Sequence, residues 1–130
     1  MDVFIRDLIV TAETGGFRIH NLDSMAMAQT FRSHDQPVED GFDLHMVQLC
    51  KPAKAARSLQ GNPERAVLMP KFIIAFSRDN MTQVRFLSYA GETVRQMVDD
   101  DTFPASLSES YDETHALITR ACGESPCGIS

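Results

Sequence analysis

Apolar residues recur at helical spacing at the start of the chain: Val3, Phe4, Leu8, Ile9 and Ala12 fall on one side of a helix predicted over residues 3–14. Gly15 and Gly16 then stop the pattern, as helix ends favour glycine. Phe17 to Leu22 alternates apolar and polar and reads as a short strand. Asp23 or Ser24 is placed to cap a second helix that carries Met25, Ala26, Ala28 and Phe31. That helix runs out into the polar loop SHDQPVEDG.

Phe42 to Cys50 alternates at Phe42, Leu44 and Met46, then turns apolar on both faces at Val47 and Leu49, the pattern of a central strand. Pro52 suits the first turn of a helix, where its missing N–H costs nothing. Ala53, Ala56 and Leu59 give that helix a stripe of small residues, and Gly61-Asn62-Pro63 ends it. Ala66 to Phe76 is a β-rich run interrupted by Pro70. Proline donates nothing to a ladder, so the paired strand is predicted at 71–77 with 66–69 leading in. Asp79-Asn80 makes a hairpin turn, and Gln83 to Ala90 is the return strand. A helix over Gly91–Asp100 buries Val94, Met97 and Val98, and a loop follows from Thr102 to Ala105. Ser106 and Glu109 form a capping box for a last helix with the stripe Leu107, Tyr111, Thr114, Ile118 and Ala121. The fold class is therefore α+β: a mainly antiparallel sheet of about four strands with helices packed on one face. One domain is expected over 1–122, with 123–130 as a flexible tail.

Length and charge narrow the function classes. The chain has 130 residues, 43% of them hydrophobic, enough for one core. Net charge is −6, which argues against a nucleic-acid surface, since phosphate binding needs clustered Lys and Arg. The largest basic feature is Lys51, Lys54 and Arg57. No run of about 18 apolar residues is available to span a membrane. Asp2, Arg6 and Asp7 interrupt the first apolar run, unlike a signal peptide. Three cysteines, an odd number, fit a reducing interior, and the expected location is the cytoplasm.

The run Leu49-Cys50-x-Pro52-x-x-Ala55, followed by Leu59, Pro63-Glu64, Leu68-Met69-Pro70 and Ile73, resembles the domain of unknown function 302 family. Gly16-Phe17-Arg18-Ile19 and Val84 to Ala90 fit the same pattern, so the likeness covers about residues 15–120. The resemblance implies a curved antiparallel sheet similar to the TATA-box-binding-protein class, and a homodimer. It implies no activity, and a fold alone licenses none. Two departures stand out. The family's cysteine after Met-Pro is Lys71 here, and the strand that usually precedes the first helix is missing or reduced to residues 1–5.

Cys50 is the leading candidate for chemistry. It falls at or near a helix N-cap, where unpaired N–H groups and the dipole favour a thiolate, and Lys51 adds positive charge. The plainer reading is a buried small hydrophobe. Lys71, isolated in an apolar strand, is placed to face a ligand anion, to be a desolvated amine, or, as is commoner, to guard an edge strand against aggregation. His45 and Asp43 share a strand face and become pocket residues if that face lines a groove. His34-Asp35 is the other proton-active pair, in a solvated loop. Cys122 and Cys127 have the wrong spacing for zinc or a redox motif; geometry permits a bridge across a flexible loop, but a cytoplasmic setting disfavours it, and they read as two free thiols. Asp99-Asp100-Asp101 lacks the glycine and distal glutamate of a calcium loop.

No catalytic constellation is visible. The expected function is a ligand- or partner-binding module, homodimeric, taking a small molecule near Cys50, Lys71, His45 and Lys51, with no cofactor. A second reading makes it a thiol-dependent redox or sulfur-transfer accessory protein acting through Cys50. A third has a histidine, His45 or His34, hold haem or a metal.

Overall fold

In a computed structural model of the chain, which describes residues 1–123 and 127–129, helix α1 runs from Asp2 to Thr14. It buries Phe4, Ile5, Leu8 and Ala12, while Val3 of the predicted stripe faces outward. Strand β1 is only Arg18–Ile19. It is short because the Asn21 side chain takes over the pairing: its Nδ2 donates to Met46 O at 2.7 Å and its Oδ1 accepts from Gln48 N at 2.8 Å.

Helix α2 spans Met27–Ser33 and starts later than expected. Met25 and Ala26 are held outside it by strand-like contacts, with Met46 N donating to Met25 O at 2.9 Å and Ala26 bridging to His45. No side chain caps this helix, so the expected cap at Asp23 or Ser24 is absent. Strand β2 is Leu44–Cys50. Helix α3 is Pro52–Gly61, with Pro52 in its first turn as expected. Ala53 and Ala56 of its supposed packing stripe are exposed; the inward face carries Lys54, Ala55, Ser58 and Leu59. A 3-10 helix, Pro63–Leu68, replaces the extended lead-in predicted over 66–69.

Strands β3, Lys71–Arg78, and β4, Met81–Phe86, form the hairpin. Asp79 and Asn80 both take positive φ, 54° and 61°, the geometry a two-residue hairpin turn demands. Helix α4 is Gly91–Met97; Val94 and Val98 are buried around it, but Met97 is exposed. Helix α5, Phe103–Cys122, begins three residues before Ser106. Its first turn is satisfied from outside, by Asp100 Oδ1, which accepts from the N–H groups of Thr102 and Phe103. The expected capping box of Ser106 and Glu109 is therefore interior to the helix.

Strand β5, Cys127–Ile129, pairs in parallel with β4, completing a five-stranded sheet in the order β1-β2-β3-β4-β5. The sequence pattern predicts about four strands; the fifth, Cys127–Ile129, lies in the segment expected as a flexible tail. Residues 124–126 and 130 of that segment lie outside the described residues. Cys122 and Cys127 are disulfide-bonded, not free, with their Cα atoms 6.0 Å apart, within the range a disulfide spans. This pairing removes two of three cysteines from the argument for a reducing compartment. Among the described residues no helix is long and apolar enough to cross a membrane.

Helices α1 and α5 cover one sheet face. Val47, Leu49, Ile73, Ala75 and Val84 point from it into a core with Phe4, Leu8, Leu117 and Ile118. A second cluster, Leu68, Val94, Val98, Phe103 and Leu107, joins α4, the 3-10 helix and the start of α5. The two clusters leave a gap between them, under α3.

Candidate functional site

That gap is a cleft of about 260 Å³. Its walls are the ends of β2 and the start of β3, the inward face of α3, and the first half of α5. Leu49, Leu59, Met69, Phe103 and Leu107 supply the apolar lining. Ser106, Ser110 and Glu113, three to four residues apart on α5, present a polar stripe to the same space.

The charged groups come from the strand-to-helix joint. Strand β2 ends at Cys50, Lys51 takes an extended conformation as N-cap, and its carbonyl accepts from Ala55 N at 2.9 Å. Lys51 and Lys54, three apart, therefore face the cleft together. Lys51 Nζ donates to Glu113 Oε2 at 3.2 Å, and Lys54 Nζ lies 3.5 Å from Glu113 Oε1. Lys51 also stands 5.2 Å from the Phe17 ring centroid. Burial acts to raise the Glu113 pKa, but the two lysines outweigh it and leave the carboxyl below its ordinary value.

Lys71 enters from the opposite wall. It pairs with Leu49 at the start of β3, so it points to the same sheet side as Ile73 and Ala75. The edge-strand reading of Lys71 is overturned, because β3 is the middle strand of the sheet. The β4 ladder first reaches Ile73, which leaves Lys71 at an open sheet end. Its Nζ is 6.0 Å from the Tyr111 ring centroid, and among the described residues no carboxylate lies within ion-pair reach of it. Burial and then the positive charge of Lys54 push its pKa down.

Cys50 lines the cleft but is not the activated thiol expected of an N-cap residue. Lys51 holds the cap, and burial raises the Cys50 pKa more than Lys71 lowers it. His45 is not in the cleft. It lies five residues up β2, roughly 16 Å away along the strand. There its Nδ1 is buried 3.4 Å from Asp43 Oδ1 without a hydrogen bond. His20, which sequence reasoning left unassigned, lines the cleft instead. His34 and Asp35 are exposed beyond α2. Among the described residues no three His, Cys, Asp or Glu side chains gather around a common point.

The cleft therefore unites Cys50, Lys51 and Lys71 of the expected site and adds Lys54 and Glu113. One sequence signal marks it: the chain has only three lysines, 51, 54 and 71, and all three line this cleft, while its other basic side chains are arginine. Helix periodicity alone gives no reason to bring Glu113 to them.

No protein-family model matches the chain, and no curated protein does. Among solved structures, the crystal structure of an uncharacterized conserved DUF302 protein from Bacillus stearothermophilus is similar, with a TM-score of 0.72 and 16% identity. The match covers 93% of this chain and 90% of that one. At this identity the likeness concerns the path of the backbone, and it agrees with the α+β architecture that the Cys50 to Ile73 motifs imply. The chain thus has the fold of that DUF302 protein.

Proposed function

We propose that the chain is a binding module whose cleft takes a small organic acid, carboxylate toward the lysines and apolar body against Leu49, Leu59 and Leu107. The observation that carries this reading is Lys71: a half-buried ammonium with no carboxylate partner among the described residues, lining an apolar-walled cleft. A cation in such a place is costly unless an anion joins it. The group that Lys51 and Lys54 already hold is itself a carboxylate, that of Glu113. The cleft volume, about 260 Å³, suits a small acid and is at the low end of ligand sites.

The test is calorimetric titration of isocaproate into wild type and Lys71→Met. A charge-assisted contact contributes about 1.5–3 kcal/mol, so the variant should bind about 10- to 100-fold more weakly while staying folded. Equal affinity in the two proteins would show that Lys71 does not face the ligand.

A homodimer belongs to the same reading. It is supported by the sheet face opposite the core, where Met46, Ile74 and Phe76 are half-exposed and Phe72 is 38% exposed. Native mass spectrometry should give twice the 14.5 kDa chain mass; a monomer throughout the micromolar range would remove the dimer from the account.

A further inference from the structure

We infer that Lys71 is a carbonyl-capturing amine, forming a reversible imine with an oxo acid whose carboxylate is held by Lys51 and Lys54. The inference rests on the organic-acid reading above and names its ligand class.

Three observations carry it. First, every lysine of the chain is in the cleft, and arginine supplies the basic charge elsewhere. A guanidinium matches or exceeds an ammonium in holding anions; what only the amine offers is a nucleophilic nitrogen. Second, the three lysines are not equivalent. Lys51 and Lys54 are tied to the Glu113 carboxylate, the kind of group they would hold on a ligand. Among the described residues Lys71 has no such partner. Third, Lys71 lies half-buried in an apolar-walled cleft that Lys54 also lines, the kind of setting that activates lysine nucleophiles. Burial and the Lys54 charge lower its pKa, which enlarges the neutral fraction able to attack.

The chemistry balances within the cleft and solvent. The neutral Lys71 nitrogen attacks the carbonyl carbon, forming a C–N bond as the C=O π pair moves to oxygen. The nitrogen loses a proton and the oxygen gains one, giving a carbinolamine. After a second protonation that hydroxyl leaves as water while the nitrogen lone pair forms the C=N bond, and the resulting iminium returns its N–H proton to solvent to give the imine. One water is released per imine, with no change of oxidation state. Glu113 lines the same cleft, and solvent reaching the cleft supplies and takes up the protons of the dehydration.

The experiment uses the whole chain at pH 7 with α-ketoisocaproate and sodium cyanoborohydride, followed by peptide mapping. Lys51 and Lys54, in the same cleft, serve as internal controls. The expected result is one reduced adduct per chain, on Lys71, about ten-fold above Lys51 and Lys54, and its loss in Lys71→Arg. No adduct, or one spread evenly over Lys51, Lys54 and Lys71, overturns the inference. Isocaproate has no carbonyl and so reads the organic-acid site alone. If it saturates the wild type while no adduct forms, imine capture fails and the binding reading stands; if neither binds, both fail.

Discussion

Arg65 donates from Nε to Asp100 Oδ2 at 2.8 Å, and the two side chains are 16% and 7% exposed. This pair ties the 3-10 helix to the start of α5, on the far wall of the lysine cleft. Asp100 also accepts from Asn62 Nδ2, and Arg65 reaches back to Ser58 O of α3. Helix α3 buries no side chain fully, so these bonds and the Lys51–Glu113 and Lys54–Glu113 contacts are what hold it over the cleft.

The first prediction concerns acid stability. Hydrogen bonds from Arg65 and Asn62 hold the Asp100 carboxyl well below its ordinary value of 3.8. A carboxyl depressed in the folded state stabilises it fully above the unfolded value, and that contribution is lost as pH falls through the folded one. Asp100→Asn should therefore melt several degrees below wild type at neutral pH, and the gap should narrow from about pH 5 downward. A gap constant from pH 7 to pH 3 would contradict the assignment.

Lys71→Met should behave in the opposite sense for stability. The Lys71 pKa is lowered from 10.5 in the folded protein, so its ammonium disfavours folding at neutral pH. Between the folded and unfolded values the unfolded chain binds more protons, and stability rises with pH. The variant should melt at or above the wild-type temperature at pH 7, with the difference shrinking as pH approaches 10.5. Thermal scans across that range decide it; a large loss of stability at pH 7 would refute the cost assigned to the buried amine.

Glu113→Gln removes the internal carboxylate from Lys51 and Lys54. These pairs are partly exposed, with side-chain exposures of 33–40%, so they contribute only about 0.2–1 kcal/mol. The variant should lose little stability and bind isocaproate a few-fold more tightly, since an added acid no longer competes with Glu113. Weaker binding by calorimetry would mean that Glu113 orders the lysines for the ligand instead of competing with it.

Cys50 should be a slow thiol. Burial raises its pKa from 9.0, so iodoacetamide at pH 7 should modify it more slowly in the folded protein than in urea. Faster alkylation in the folded state, read by peptide mapping, would restore the thiol-dependent reading.

Much of the fold was legible in the sequence because its punctuation is strong. Gly15-Gly16, Pro52, Gly61-Asn62-Pro63 and Asp79-Asn80 each mark a real boundary. The errors fall where tertiary contacts overrule local pattern. Met25 and Ala26 look helical but are taken by β2, and α5 starts early because Asp100 caps it from a preceding loop. Strand β5 was invisible, since three residues at a chain end carry no periodicity. At the site, Cys50, Lys51 and Lys71 were legible from the strand-to-helix joint and the Met-Pro element. Placing His45 with them failed because five strand residues separate it from the joint, and Glu113 was missed because its partners are 62 and 59 positions away.

The central claim is that the lysine cleft binds an organic acid. An NMR titration with isocaproate, following backbone amides, tests it most directly. The account predicts saturable shifts at Cys50, Lys51, Lys71 and Ser110, absent in Lys71→Met. No saturable shift, or shifts confined to the opposite sheet face around Met46 and Phe76, would contradict it.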